Sequence, residues 1–159
     1  MIVLWRALSA RTTSVMPLYT ALLRVPRSRT LDHSGGETTR PLISFDIDGT
    51  LEVGDPPGIV TIPMIRLAKS LGYVIGSCSD RPVSFQQALW ERLRIGVDFT
   101  VLKHRLADVK ALFPVATTYY HIGDTETDHV VAVGAGFRFL RADAANHQTW
   151  GPELFAPQP

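Results

Sequence analysis

Leu42-Ile43-Ser44-Phe45-Asp46-Ile47-Asp48-Gly49-Thr50 is the stretch on which the fold turns. A short, mostly apolar run ends abruptly in two aspartates one residue apart, then a glycine. Such a run, bounded by turn chemistry, suits a strand buried on both faces, as in parallel sheets. Four more runs of this kind follow: Tyr73–Cys78, Phe99–Leu102, Tyr119–Ile122 and Phe137–Leu140.

Between the runs, apolar residues recur at helical spacing. Ile62, Ile65, Ala68 and Leu71 sit three apart, and Phe85, Ala88, Leu89, Arg92 and Leu93 make a second stripe with Pro82 near its start. Leu106, Val109 and Phe113 form a third stripe before Pro114, and Val130, Val131 and Ala135 a fourth. Strand alternating with helix over short links predicts an α/β fold, a mainly parallel five-stranded sheet with helices on both faces. Trp90 and Cys78 fall inside these patterns and read as packing, the cysteine as an inert core thiol.

In such sheets the carboxyl ends of the strands open onto a ligand crevice. The first run ends in Asp46-Ile47-Asp48-Gly49-Thr50, the second in Ser79-Asp80-Arg81, the third in Lys103, and the fourth in Gly123-Asp124 with Asp128 beyond. Carboxylates, a hydroxyl and an ammonium are thereby brought to one rim. Clustered carboxylates repel one another unless a hard cation such as Mg²⁺ sits among them. Lys and Ser suit a phosphate's peripheral oxygens, and Gly49 lets backbone N–H groups approach an anion. An Asp beside a bound phosphoryl group is a candidate nucleophile, and a second Asp two residues on can move protons. The set points to metal-assisted phosphoryl transfer.

Asp46-Ile47-Asp48-Gly49-Thr50-Leu51 resembles the first motif of the haloacid dehalogenase (HAD) superfamily in its phosphatase form. Ser79, Lys103 and Gly123-Asp124 with Asp128 follow in that family's order, so the likeness spans roughly residues 41–141. It implies a Rossmann-like three-layer sandwich and a Mg²⁺-dependent hydrolase working through an aspartyl-phosphate. It implies Asp46 as nucleophile and metal ligand, and Asp48 as general acid/base with its carbonyl on the metal. Ser79 and Lys103, with Gly49 and Thr50, would hold the phosphate. Asp124 would complete the metal shell, and Asp128 would support it through water or by orienting Lys103. The presence of Asp48 favours a phosphatase over a dehalogenase, which needs no proton donor there.

Two positions have competitors. Ser77 shares a strand face with Ser79, and Lys110 competes with Lys103; the Ser-Asp-Arg ending and the strand-end position favour Ser79 and Lys103. Asp80 and Arg81 read equally as substrate contacts or as a turn salt bridge. His104, His121 and His129 lack metal spacing and read as hydrogen-bonded neighbours, and Glu126 as solvent-facing.

Only about ten residues, Glu52 to Thr61, separate the first motif from the next helix, and Gly54-Asp55-Pro56-Pro57-Gly58 within them predicts a tight flap hairpin. Neither this gap nor the one at Lys103 can hold an inserted domain, so no cap is expected. An open site suits a large substrate, or a small one enclosed by a neighbouring subunit of a homo-oligomer. A regulatory or binding module of the same fold is the alternative, against which the intact acidic set counts. A receiver-type phosphoacceptor would need its Asp at the third strand, where Leu102-Lys103 stands, and a dinucleotide fold would need a Gly-rich turn after the first.

The whole chain sets the outer limits. Its 159 residues suit one domain, with 45% hydrophobic residues and a formal charge of +1. The near-neutrality hides a contrast: residues 1–40 carry six basic residues against two acids, and residues 41–159 ten against thirteen. The expected organisation is a basic, flexible N-terminal extension over 1–40 and a hydrolase domain over 41–159. The extension, Arg-rich and without an acid before Asp32, reads as an upstream extension with Met16 as the start, or as an organelle transit peptide. The single cysteine cannot form an internal disulfide and favours a reducing compartment, hence a cytoplasmic location with organelle targeting as the alternative. No apolar run reaches membrane-spanning length, and so little positive charge in the body disfavours nucleic acid. The expected partner is a phosphorylated substrate whose leaving group nothing here identifies.

Overall fold

The structure, a computed structural model, describes residues 39–155; the readings made on residues 1–38 lie outside it. Eleven elements alternate along this stretch. The strands are β1 (Leu42–Phe45), β2 (Val74–Ser79), β3 (Phe99–Leu102), β4 (Tyr119–Gly123) and β5 (Arg138–Arg141). The helices are α1 (Ile62–Ser70), α2 (Val83–Leu93), α3 (Leu106–Leu112), α4 (Glu126–Gly134) and α5 (Ala144–Phe155), with a 3₁₀ turn at Lys103–Arg105.

All five strands are parallel, in the order β3-β2-β1-β4-β5. This is the α/β architecture of a three-layer, Rossmann-like sandwich. Pleating sends alternate residues of β1 to opposite faces. Ile43 and Phe45 join one core with Ile65 and Ala68 of α1, Leu89 and Trp90 of α2, and Trp150 and Leu154 of α5. Leu42 joins the other with Leu106 and Val109 of α3 and Ala132 of α4. The chain winds outward from β1 to β3, then crosses back to β4 on the opposite side of β1. That reversal leaves the crevice between the ends of β1 and β4, where a ligand site is expected in an open sheet.

Two helices present a different face from the one their apolar residues suggest. In α2 the buried residues are Val83, Gln86, Leu89 and Trp90, while Phe85 is 44% exposed. Gln86 goes inward because its amide reaches the Arg81 and Val101 carbonyls and its oxygen accepts from Ser77, needs that outrank apolarity. In α4 the inward residues are Asp128 and Ala132, and Val130 points outward. Here too a polar residue holds the inner face, for reasons that belong to the site.

The segment between β1 and α1 is a folded loop and not a hairpin. One parallel bridge, Leu51 to Val60, closes it. The Val60 amide donates to the Thr50 carbonyl and the Glu52 amide to the Val60 carbonyl, both at 2.9 Å. The loop therefore curls right round, so that the chain runs the same way at Val60 as at Leu51. Among the described residues no further domain interrupts the sheet, and no helix is long and apolar enough to cross a membrane.

Candidate functional site

Asp46 is the first residue beyond β1, and its backbone N–H still donates to the Ile122 carbonyl of β4, so the strand ladder itself fixes its position. Its carboxylate is 3% exposed. Burial, and then repulsion from Asp128, push its pKa up to about 7 against the pull of Lys103. The Ile47 backbone and the Ser79 side chain pull it back down.

Lys103 opens the 3₁₀ turn after β3 and is buried. Its Nζ lies 2.8 Å from Asp128 Oδ1, 3.1 Å from Asp80 Oδ2 and 3.6 Å from Asp46 Oδ1. Burial disfavours its charge, yet the Asp128 hydrogen bond and the nearby carboxylates hold the ammonium above its ordinary range. Lys110 lies elsewhere, its ammonium 4.8 Å from the Tyr119 ring centroid.

Asp128 is wholly buried on the first turn of α4. It forms a capping box with Thr125: its Oδ2 accepts from the Thr125 amide at 3.1 Å and hydroxyl at 2.6 Å, and its own amide donates to that hydroxyl. Its Oδ1 takes Lys103 and faces His121 Nε2 at 3.5 Å. Gly123 makes room for this, since a Cβ there would collide with the Asp128 side chain. Burial penalises the Asp128 charge, but bonds from His121, Lys103 and Thr125 hold it well below the usual carboxylate range. His121, itself fully buried with Nδ1 3.2 Å from Ser44 Oγ, is held below its ordinary pKa by burial.

Asp124 caps the end of β4, where its carboxylate accepts from Thr50 Oγ1 at 3.4 Å and its carbonyl from Arg141 at 2.8 Å. Gly49, at φ 70°, turns the first loop against it. A side chain at Gly49 would occupy the space of the Asp124 carboxylate.

Oxygens of Asp46, Asp124 and Asp128 all lie within 4.8 Å of one another, a span that suits one cation. The donor set is oxygen-only, which fits a hard ion such as Mg²⁺. The raised pKa of Asp46 reports burial first and repulsion from Asp128 second, and a cation beside it would oppose both. Asp128 differs from the other two, because its oxygens already face four donors from His121, Lys103 and Thr125. Asp46 and Asp124 are therefore the carboxylates with capacity to spare, and Asp128 is better placed to hold Lys103 than to ligate directly.

The Asp48 side chain lies at the rim, 30% exposed. Arg81 grips it with two bonds, Nε to Oδ2 at 2.6 Å and one terminal nitrogen to Oδ1 at 3.2 Å, and the Asp55 amide adds a third at 2.8 Å. Slight burial raises the Asp48 pKa, and the Arg81 and Asp55 bonds outweigh it and lower the value overall.

Ser79 and Ser77 have separated roles. Ser79 stands beside Asp46 and accepts from the Arg81 amide at 3.3 Å. The Ser77 hydroxyl is consumed inside the sandwich, donating to Gln86 at 2.7 Å and accepting from Trp90 Nε1 at 2.9 Å. Gly49 and Thr50 do not offer the anion-binding amides expected of them. The Gly49 amide donates to the Pro56 carbonyl at 2.6 Å and the Thr50 amide to Ile47 at 3.3 Å, bonds that the curled loop requires. Both residues shape the surroundings of Asp124 instead.

Sequence reasoning left Thr125 and His121 out of the site and both Asp80 and Arg81 undecided. The Thr125-x-x-Asp128 spacing at a helix start was a readable capping-box signal. Nothing in the spacing announces His121 or Asp80. Cys78, as read from the sequence, is a buried thiol, its pKa driven up by burial. No family model and no curated protein matches this chain.

Proposed function

We propose that the protein is a Mg²⁺-dependent phosphomonoester hydrolase that works through an aspartyl-phosphate on Asp46. The observation that supports this best is one buried carboxylate bordered by a buried ammonium, a hydroxyl and a second carboxylate, all at strand ends on one crevice. A buried carboxylate beside a buried ammonium and a second carboxylate is the arrangement that a nucleophile paired with a cation needs.

Asp46, Asp124 and the Asp48 carbonyl would hold the Mg²⁺. When bound, the ion neutralises phosphate charge and keeps Asp46 ionised. Lys103 and Ser79 bind the peripheral phosphate oxygens, with Asp128 fixing the ammonium. Asp46 attacks phosphorus; its new O–P bond forms as the bond to the leaving oxygen breaks, and Asp48, which must take up its proton against the Arg81 and Asp55 bonds, gives that oxygen the proton. Ionised Asp48 then takes a proton from water as the water oxygen attacks phosphorus. Phosphate leaves, and both aspartates return to their starting states.

The test is hydrolysis of a panel of phosphomonoesters, from nitrophenyl phosphate to sugar phosphates, nucleotides and phosphopeptides. Turnover should need Mg²⁺, stop with chelator, and fall at least about 1,000-fold in Asp46→Asn, as expected when a nucleophile is lost. An Asp46→Asn protein as active as wild type would remove Asp46 from this role. A wild-type protein inert on the whole panel would favour a regulatory or binding module.

A further inference from the structure

The pairing of Arg81 with Asp48 is more elaborate than a turn salt bridge. Arg81 follows β2, whereas Asp48 follows β1, so the contact ties two neighbouring strand ends together at one side of the crevice. Every part of Arg81 is held. Its amide donates to Ser79 Oγ, its carbonyl accepts from buried Gln86 at 2.8 Å, and its guanidinium lies 5.0 Å from the Phe85 ring centroid. This stacking explains why Phe85 stays on the outer face of α2, 44% exposed, while Gln86 goes inward. A guanidinium supported on one face presents its planar fork to a carboxylate, the geometry that fixes orientation best.

The third donor to Asp48 comes from the loop, through the Asp55 amide. Asp48 therefore joins the first loop to the start of α2, and its carboxylate plane is set from both sides.

We propose that Arg81 is a positioning residue that fixes the Asp48 carboxylate at the rim of the crevice, with Phe85 as its shelf. This rests on Asp48 being the proton donor of the reaction proposed above. Arg81 acts through Asp48 and need not touch the substrate. Its contribution is therefore largest where the leaving oxygen most needs a proton: alkyl phosphates depend on the donor, and nitrophenyl phosphate, with a stable leaving anion, does not.

The experiment compares wild type, Arg81→Ala and Arg81→Lys by kcat/KM on glycerol phosphate and on nitrophenyl phosphate, and by inhibition with inorganic phosphate. Arg81→Ala should lose about 100-fold on the alkyl ester, within the usual range for a general acid, and under about tenfold on the aryl ester. Phosphate inhibition should hold, and Arg81→Lys, which keeps the charge but not the fork, should recover part of the alkyl rate. Equal losses on both esters overturn the proposal. So does weakened phosphate inhibition with the leaving-group ratio unchanged, which would make Arg81 a phosphate ligand. Amide hydrogen exchange gives a reading independent of turnover. Arg81→Ala should speed exchange at Asp55, and unchanged exchange there would refute the clamp. Wild-type protein inert on every ester, with the Asp55 effect present, would instead refute the phosphatase reading and leave the clamp standing.

Discussion

Two serines two residues apart on one strand show what a side chain's neighbours decide. Alternation places Ser77 and Ser79 on the same side of β2 and stops there. The choice is made by Gln86 and Trp90, whose bonds to Ser77 leave it no free proton to donate. Ser77→Ala should cost about 1–3 kcal/mol of stability, since it strands two buried polar groups, while kcat/KM stays near wild type. Ser79→Ala should show the reverse, with near-native melting and a raised KM. Denaturant melts and steady-state kinetics on the two variants separate the roles. The aspartates were legible for a related reason: a carboxylate at the end of an apolar run has few structural excuses. His121 was not, because a lone buried histidine carries no spacing signal, and its partners Ser44 and Asp128 lie 77 and 7 residues away.

At the scale of elements, the strands and the first four helices follow from periodicity, and the departures share one cause. Where Gln86 or Asp128 turns inward, counting apolar residues rotates the helix the wrong way. Helix α5 escaped notice altogether, since Ala144-Ala145-Asn146-His147-Gln148-Thr149 shows no apolar stripe and Pro152 lies within the helix. Its place is set by Trp150 and Leu154, which pack in the α1 face of the core, and by Asp143, whose carboxylate accepts from the Asn146 amide at 2.8 Å. Trp150→Ala should lower stability by about 3–5 kcal/mol in a denaturant melt. The Asp143 contribution should depend on pH. Bonds from the Asn146 backbone and side chain lower its pKa in the folded state. The ionised form is therefore the stabilising one, fully effective above the unfolded value of about 3.9 and lost as pH falls through the folded value. Asp143→Ala should be less stable than wild type at neutral pH, with a gap that closes in acid. A gap unchanged down to pH ~2 would show that the carboxylate charge is not what holds the helix.

Across the whole molecule, the strand order places the ends of β1 and β4 side by side, and Asp46 and Asp124 with them. Charge crowding there is a property of the assembled sheet, since Asp46 is far in sequence from both Asp124 and Asp128. Binding of Mg²⁺ to the folded state alone should raise its stability, by about 2.7 kcal/mol at 100 times the dissociation constant. Thermal melts with and without Mg²⁺ should show that shift in wild type and lose it in Asp124→Asn. An equal shift in both would place the ion elsewhere.

The central claim is that Asp46 carries the phosphoryl group between substrate and water. The stereochemical course at phosphorus tests it most directly, using an aryl phosphorothioate made chiral with two oxygen isotopes and hydrolysed in water of the third. Two successive in-line displacements, first by Asp46 and then by water, predict overall retention of configuration. Inversion would mean that water attacks the substrate directly, and Asp46 would then be no nucleophile.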